Sequence, residues 1–138
     1  MQLNQNLTEQ LYLEFPCLYR SRHKTMYESG MCWGFQCGDG WFQILYDLSQ
    51  KLSDYLIQHP AVDFEVTQVK SKLGFLHVGL SFHNEDLRKL IGLACQQAQI
   101  TCELTGKPGK LYEDIPNRAP IVLSIEKAVD LGWLSVGK

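Results

Sequence analysis

The stretch that decides the fold is Val62-Asp63-Phe64-Glu65-Val66-Thr67-Gln68-Val69-Lys70-Ser71-Lys72-Leu73-Gly74-Phe75-Leu76-His77-Val78-Gly79-Leu80-Ser81-Phe82. Val62, Phe64 and Val66 alternate with Asp63, Glu65 and Thr67, and Leu76, Val78, Leu80 and Phe82 alternate with His77, Gly79 and Ser81. Period two places one set of side chains on each face of a strand. Residues 70–74 lie between the runs as a glycine-containing turn, so the stretch is expected to form an antiparallel hairpin with one wet face.

Strong helical patterns flank it. Upstream, Trp41, Ile44, Leu45, Leu48, Leu52, Tyr55 and Leu56 recur at three- and four-residue steps, with Asp39 as the expected N-cap and Pro60 as the stop. Downstream, Asn84 is the expected cap of a helix whose buried stripe is Leu87, Leu90, Ile91, Ala94 and Ala98, with Glu85 and Asp86 favourably placed in its first turn. Leu3, Leu7, Leu11 and Phe15 mark a short first helix ended by Pro16, and residues 17–38 read as irregular. Two short strands are expected at residues 100–104 and 110–112, and a last helix from Ser124 to Gly132. The expected architecture is α+β: two main helices on one face of a small antiparallel sheet, in one domain of residues 1–138. Residues 110–138 are the part that could pack separately.

At 138 residues the chain is long enough to bury a core without staples. Hydrophobic content of 45% and charged content of 20% exclude a disordered chain. The net charge is −2; residues 1–63 carry four bases against seven acids, residues 64–138 nine against eight. Neither half has the clustered basic face of a nucleic-acid binder. No run approaches the ~18 apolar residues of a membrane span. The first residues show no secretion signal, and five cysteines, an odd number, are expected as free thiols in the cytoplasm.

Cys102-Glu103-Leu104-Thr105-Gly106-Lys107-Pro108-Gly109 has the form of a zinc-ribbon knuckle in which Thr105 replaces the second sulfur. Together with Cys37-Gly38-Asp39-Gly40-Trp41 and residues 66–74, it resembles a family of small uncharacterised phage- and prophage-associated proteins. Those relatives show a CGDGW helix start, a QVKxKxG hairpin turn and a CxxCGxPG zinc-ribbon-like tail. The resemblance covers roughly residues 15–110. It departs in the tail: only Cys102 remains of the first pair, and Gly132-Trp133-Leu134-Ser135 carries no cysteine where a second pair belongs. The resemblance thus implies a degenerate ribbon without zinc, and no activity.

Other chemistry is weighed against plainer readings. Cys17, His23, Cys32 and Cys37 fit no common finger spacing and read as packed cysteines beside Trp33 and Trp41. Cys37, two residues before the expected cap, is the candidate thiol nucleophile. Gly38-Asp39-Gly40 lacks the Lys-Ser/Thr of a phosphate loop. His77, Gly79, Lys70 and Lys72 form a small polar face whose plain reading is the wet side of a sheet. Arg20, Arg22, His23 and Lys24, flanked by Tyr19 and Tyr27, make the densest basic patch.

These readings converge on a non-catalytic interaction protein with no cofactor and no metal. Its expected partner is a protein, in the manner of a toxin-immunity or phage counter-defence factor, rather than a nucleic acid or a membrane. The candidate partner-binding residues are Arg20, Arg22, Lys24, Asp47, Lys51 and Asp54. The alternatives are a nucleic-acid-associated module descended from a zinc ribbon, using Arg20, Arg22 and Lys24, and a thiol-dependent enzyme at Cys37.

Overall fold

The structure, a computed structural model, describes residues 1–25, 29–113 and 118–133. The hairpin is built from β2 (Val66–Lys72) and β3 (Phe75–Leu80), which pair antiparallel. Leu73 and Gly74 form its two-residue turn with φ of +53° and +85°. Left-handed backbone at both positions suits the twist of the flanking strands. Gly74 meets that demand freely; Leu73 does not, since a left-handed L-residue costs about 1–2 kcal/mol. The Leu73 side chain is 61% exposed, so it is not held there by burial. Leu73→Asn is expected to stabilise the fold by about 1 kcal/mol. Thermal denaturation would show a melting point about 2–4 °C higher; a lower one would contradict the assignment of strain.

Two expectations for this hairpin are corrected. Lys70 and Lys72 lie in β2 rather than in the turn, and residues 62–65 precede the strand rather than open it. Val62 N donates to His59 O, and Glu65 meets Ser81 outside a regular ladder, its N donating to Ser81 Oγ while its O accepts Ser81 N. Phe64 is buried without belonging to a ladder.

β1 (Phe35–Gln36) runs parallel to β2 on its other edge, giving the order β1-β2-β3. The helices are α1 (Gln5–Glu14), α2 (Phe42–Gln58), α3 (Glu85–Gln99) and α4 (Ile125–Leu131). Local capping explains three of them. Asn4 Oδ1 accepts Asn6 N, Asn84 Oδ1 accepts Leu87 N at 2.8 Å, and Ser124 Oγ accepts Lys127 N. α4 stops where Gly132 turns left-handed.

α2 is different. It is preceded by a 3-10 turn, Asp39–Trp41, and no side chain caps either. Asp39 is not the cap the sequence suggested: its Oδ1 accepts the Asn4 amide at 2.7 Å, tying the entry of α1 to that of α2. The glycines around it serve close approach. Gly40 N donates to Glu103 O at 2.8 Å, and Trp41 Nε1 to Thr101 O at 2.9 Å, so the helix entry lies directly on residues 101–106.

α2 and α3 pack together, and α3 packs on β3. Leu45, Leu48 and Leu52 of α2, Leu87, Ala94 and Ala98 of α3, and Val69, Val78 and Leu80 of the sheet share one apolar cluster with Leu11 of α1. A second cluster gathers Cys102, Tyr112, Leu123 and Ala128. It lies under a second sheet, β4 (Lys110–Tyr112) against β5 (Ile121–Leu123). The strand expected at residues 100–104 is replaced by a turn and a single bridge, Thr101 to Pro108, because β4 takes β5 as its partner. Among the described residues the chain is therefore mixed helix and sheet, and no helix is long and apolar enough to cross a membrane.

Candidate functional site

The helical stripe of α2 turns Leu45, Leu48 and Leu52 inward and leaves Asp47 and Lys51 on the exposed side. α3 lies alongside, and its Leu93 is 55% exposed. Between the two helices runs a groove of about 530 Å³, with Ile44, Leu48, Leu90 and Leu93 as its apolar wall and Asp47 and Lys51 on its rim. Gly40, Ala94, Thr101 and Gly106 also line it. Gln43, Gln97 and Thr101 line it as well, so the cleft mixes apolar and polar side chains and is a candidate binding site by its size. Asp47 is oriented by Gln43, whose Nε2 donates to Oδ1 at 2.9 Å. Asp54 receives Gln50 Nε2 at 3.1 Å and does not line the groove.

The other three candidate partner residues are turned toward the protein itself. Arg20 Nε donates to Glu65 Oε2 at 2.5 Å and its Nη2 to Asp63 at 3.0 Å, while Lys24 Nζ donates to Glu65 Oε1 at 2.8 Å. Ser21 Oγ donates to the same carboxylate. Burial works to raise the Glu65 pKa, but the hydrogen bonds from Lys24, Ser21 and Arg20 outweigh it and bring it down to about 2. Arg22 sits with its guanidinium carbon 4.6 Å from the centre of the Tyr12 ring and donates from Nε to His23 Nε2. The patch is thus largely an internal clamp. Tyr27, expected to flank it, lies outside the described residues.

All five cysteines are free thiols. Cys37 is buried, and burial, with the charges of Glu103 and Asp39, pushes its pKa up to about 12. A thiol held protonated is a poor nucleophile. Cys17 is exposed and Cys32 half-buried, the latter lining a cleft of about 460 Å³ shared with His23. Among the described residues no three of His, Cys, Asp and Glu come together as a metal site. In the native protein Cys17 is expected to react first with iodoacetamide and Cys37 not at all, read by mass spectrometry of the alkylated peptides. Labelling of native Cys37 at the rate of Cys17 would contradict its burial.

The knuckle-like turn closes on Cys102. Thr105 N donates to Cys102 Sγ at 3.4 Å, Gly106 N donates to Cys102 O, and Gly106 has a φ of +80°. Burial acts to raise the Cys102 pKa, but hydrogen bonds from Thr105, Ser124 and Leu104 bring it below the ordinary thiol value. Thr105 does not complete a chelate; its hydroxyl accepts the Lys107 amide. Leu134 and Ser135, where a second pair belongs, lie outside the described residues.

Sequence reasoning missed Glu103. It is only 1% exposed, its Oε2 accepting Gly38 N at 3.1 Å and its Oε1 accepting Ser71 Oγ at 2.9 Å. Burial raises its pKa, opposed by those two donors and the chain's amino group. It borders a cavity of about 410 Å³ lined by Leu73, Pro120, Ile121 and Trp133. The only local signal was an acid set among apolar residues at 100–104. No protein-family model, curated protein or solved structure matches the chain.

Proposed function

We propose that the chain is a non-catalytic interaction protein that binds a protein partner through the groove between α2 and α3. The observation that carries the reading is the groove itself: a cleft between α2 and α3 that sets the apolar side chains of Ile44, Leu48, Leu90 and the exposed Leu93 beside the charges of Asp47 and Lys51. Its wall would take apolar side chains from the partner, and its rim charges would set orientation. In this reading the protein is cytoplasmic and of phage or mobile-element type, and it inhibits its partner as an immunity or counter-defence factor does. Residues 1–138 then form one α+β domain in which both main helices cover one face of the β1-β2-β3 sheet.

A nucleic-acid-associated module descended from a zinc ribbon is a second reading, favoured by the amide-to-sulfur geometry at Cys102. A thiol-dependent enzyme at Cys37 draws no support from a buried sulfur whose pKa is raised.

The test compares tagged wild-type protein with a Leu93→Glu, Lys51→Glu variant in capture from host lysate. Both positions are solvent-exposed, so circular dichroism is expected to show an unchanged fold. A partner held by the wild type and lost by the variant supports the reading. Equal capture by both removes the groove from it.

A further inference from the structure

The register of the hairpin sets Lys70 directly opposite His77 and Lys72 directly opposite Phe75. Cross-strand partners share a face of the sheet. The apolar set, Val69, Leu76, Val78 and Leu80, occupies the other face and is buried. The open face therefore carries two columns, lysines on β2 and rings on β3. Within each column the side chains are two residues apart, about 7 Å along an extended strand. Lys72, Phe75 and His77 are exposed, Phe75 by 49%. Gln68 pairs with Gly79 next in line, where Thr67 Oγ1 stands 2.8 Å from the position a Cβ would take, so the ring column ends at His77.

The two lysines lie two residues apart on one strand and face rings, not acids, across the pair. Among the described residues the ion pairs are those of Arg20, Lys24 and Lys89, and no carboxylate reaches Lys70 or Lys72. Burial and both lysine charges hold the His77 pKa below its ordinary value. Both lysine charges on this face are therefore free to meet an external anion.

We propose that this face binds single-stranded nucleic acid, with successive phosphates along the Lys70–Lys72 column and bases stacked on Phe75 and His77. Both columns share one repeat, so one nucleotide step advances along each together. Base stacking on exposed rings beside a cationic track is how single strands are gripped without sequence preference. A duplex, its bases already stacked, has no free base faces to offer the rings. An acidic peptide would satisfy the lysines but has no use for a ring column in register. The inference goes beyond the protein-binding reading and does not rest on it, since the face is turned away from the core and the groove lies between α2 and α3.

The experiment is fluorescence anisotropy of a labelled oligothymidylate about 10 nucleotides long. Wild-type protein is expected to bind at low salt, with log K falling against log salt at a slope of about −1.4 for two phosphates. Lys70→Ala with Lys72→Ala should weaken binding at least about tenfold and flatten that slope. Phe75→Ala should weaken it about tenfold with the slope unchanged. Lys51→Ala, in the groove, should leave it untouched. Lys72→Ala alone, at the exposed end of β2, keeps the test decisive if the double variant misfolds. No binding by the wild type at low salt, or binding that survives both sets of substitutions, would overturn the proposal. So would equal binding of a poly-glutamate peptide with Phe75→Ala harmless, which would assign the face to an acidic peptide.

Discussion

Gly40→Ala is expected to cost at least about 3 kcal/mol, enough to unfold much of a marginally stable population. A Cβ at this position would lie 2.2 Å from Cys102 O, 2.5 Å from Gly106 N and 2.7 Å from the Glu103 carbonyl carbon. All three are backbone atoms, so no side-chain rotation relieves the clash, and overpacking of this kind is costly. Relief would require the entry of α2 to move off residues 102–106, breaking the Gly40 N to Glu103 O hydrogen bond and the Trp41 Nε1 to Thr101 O bond. Urea denaturation measures the loss. Gly92→Ala supplies a control of opposite sign: it lies within α3, nothing among the described residues stands within 4 Å of the added Cβ, and it should stabilise by about 0.5–1 kcal/mol. Similar effects at both positions would show that the close approach at Gly40 is not real.

Glu65→Ala is the second large effect, and its signature is in pH. The Glu65 pKa lies below its unfolded value, so its stabilisation is present above about pH 4.5 and lost as pH falls through about 2. A shift of that size converts to about 3 kcal/mol at most. The side chains of Arg20 and Lys24 are 42% and 43% exposed, so screening reduces the contribution to about 2 kcal/mol. At pH 7 the variant should therefore melt about 4–8 °C below wild type. The two should converge as pH approaches 2, where the wild-type carboxylate is itself protonated. A constant difference across that range would mean that Glu65 acts by packing rather than by charge.

The helices were legible because their signals are local. Asn84 and Ser124 cap residues three positions ahead, and Leu45, Leu48 and Leu52 recur within one helix. What the sequence hid is non-local. Asp39 looks like the cap of its own helix, but Asn4, 35 positions away in the chain, takes its carboxylate. β1 is two residues long and parallel to a strand more than thirty residues on, leaving no periodicity to detect. β4 and the turn at 100–106 were confused because the sequence does not say that β5 is the partner of β4.

The candidate site divides the same way. Asp47 and Lys51 were correctly placed on the exposed side of α2 by helical period, but the groove beside them depends on how α3 packs. Arg20 and Lys24 read as a surface patch because Glu65, which holds them, is more than forty residues away. Glu103 is buried by three separate segments, contributing Gly38, Ser71 and Val122 to its hydrogen bonds. Lys70 and Lys72 were visible as charges near a turn; only the register places them opposite His77 and Phe75.

The proposed occupant of the groove between α2 and α3 is a protein partner. Hydrogen–deuterium exchange of the protein alone and in complex with the partner captured from its host tests it most directly. New protection is expected in residues 43–51 and 90–97, the two walls of the groove, with residues 20–24 unchanged. Protection confined to residues 20–24, or none in either helix, would contradict it.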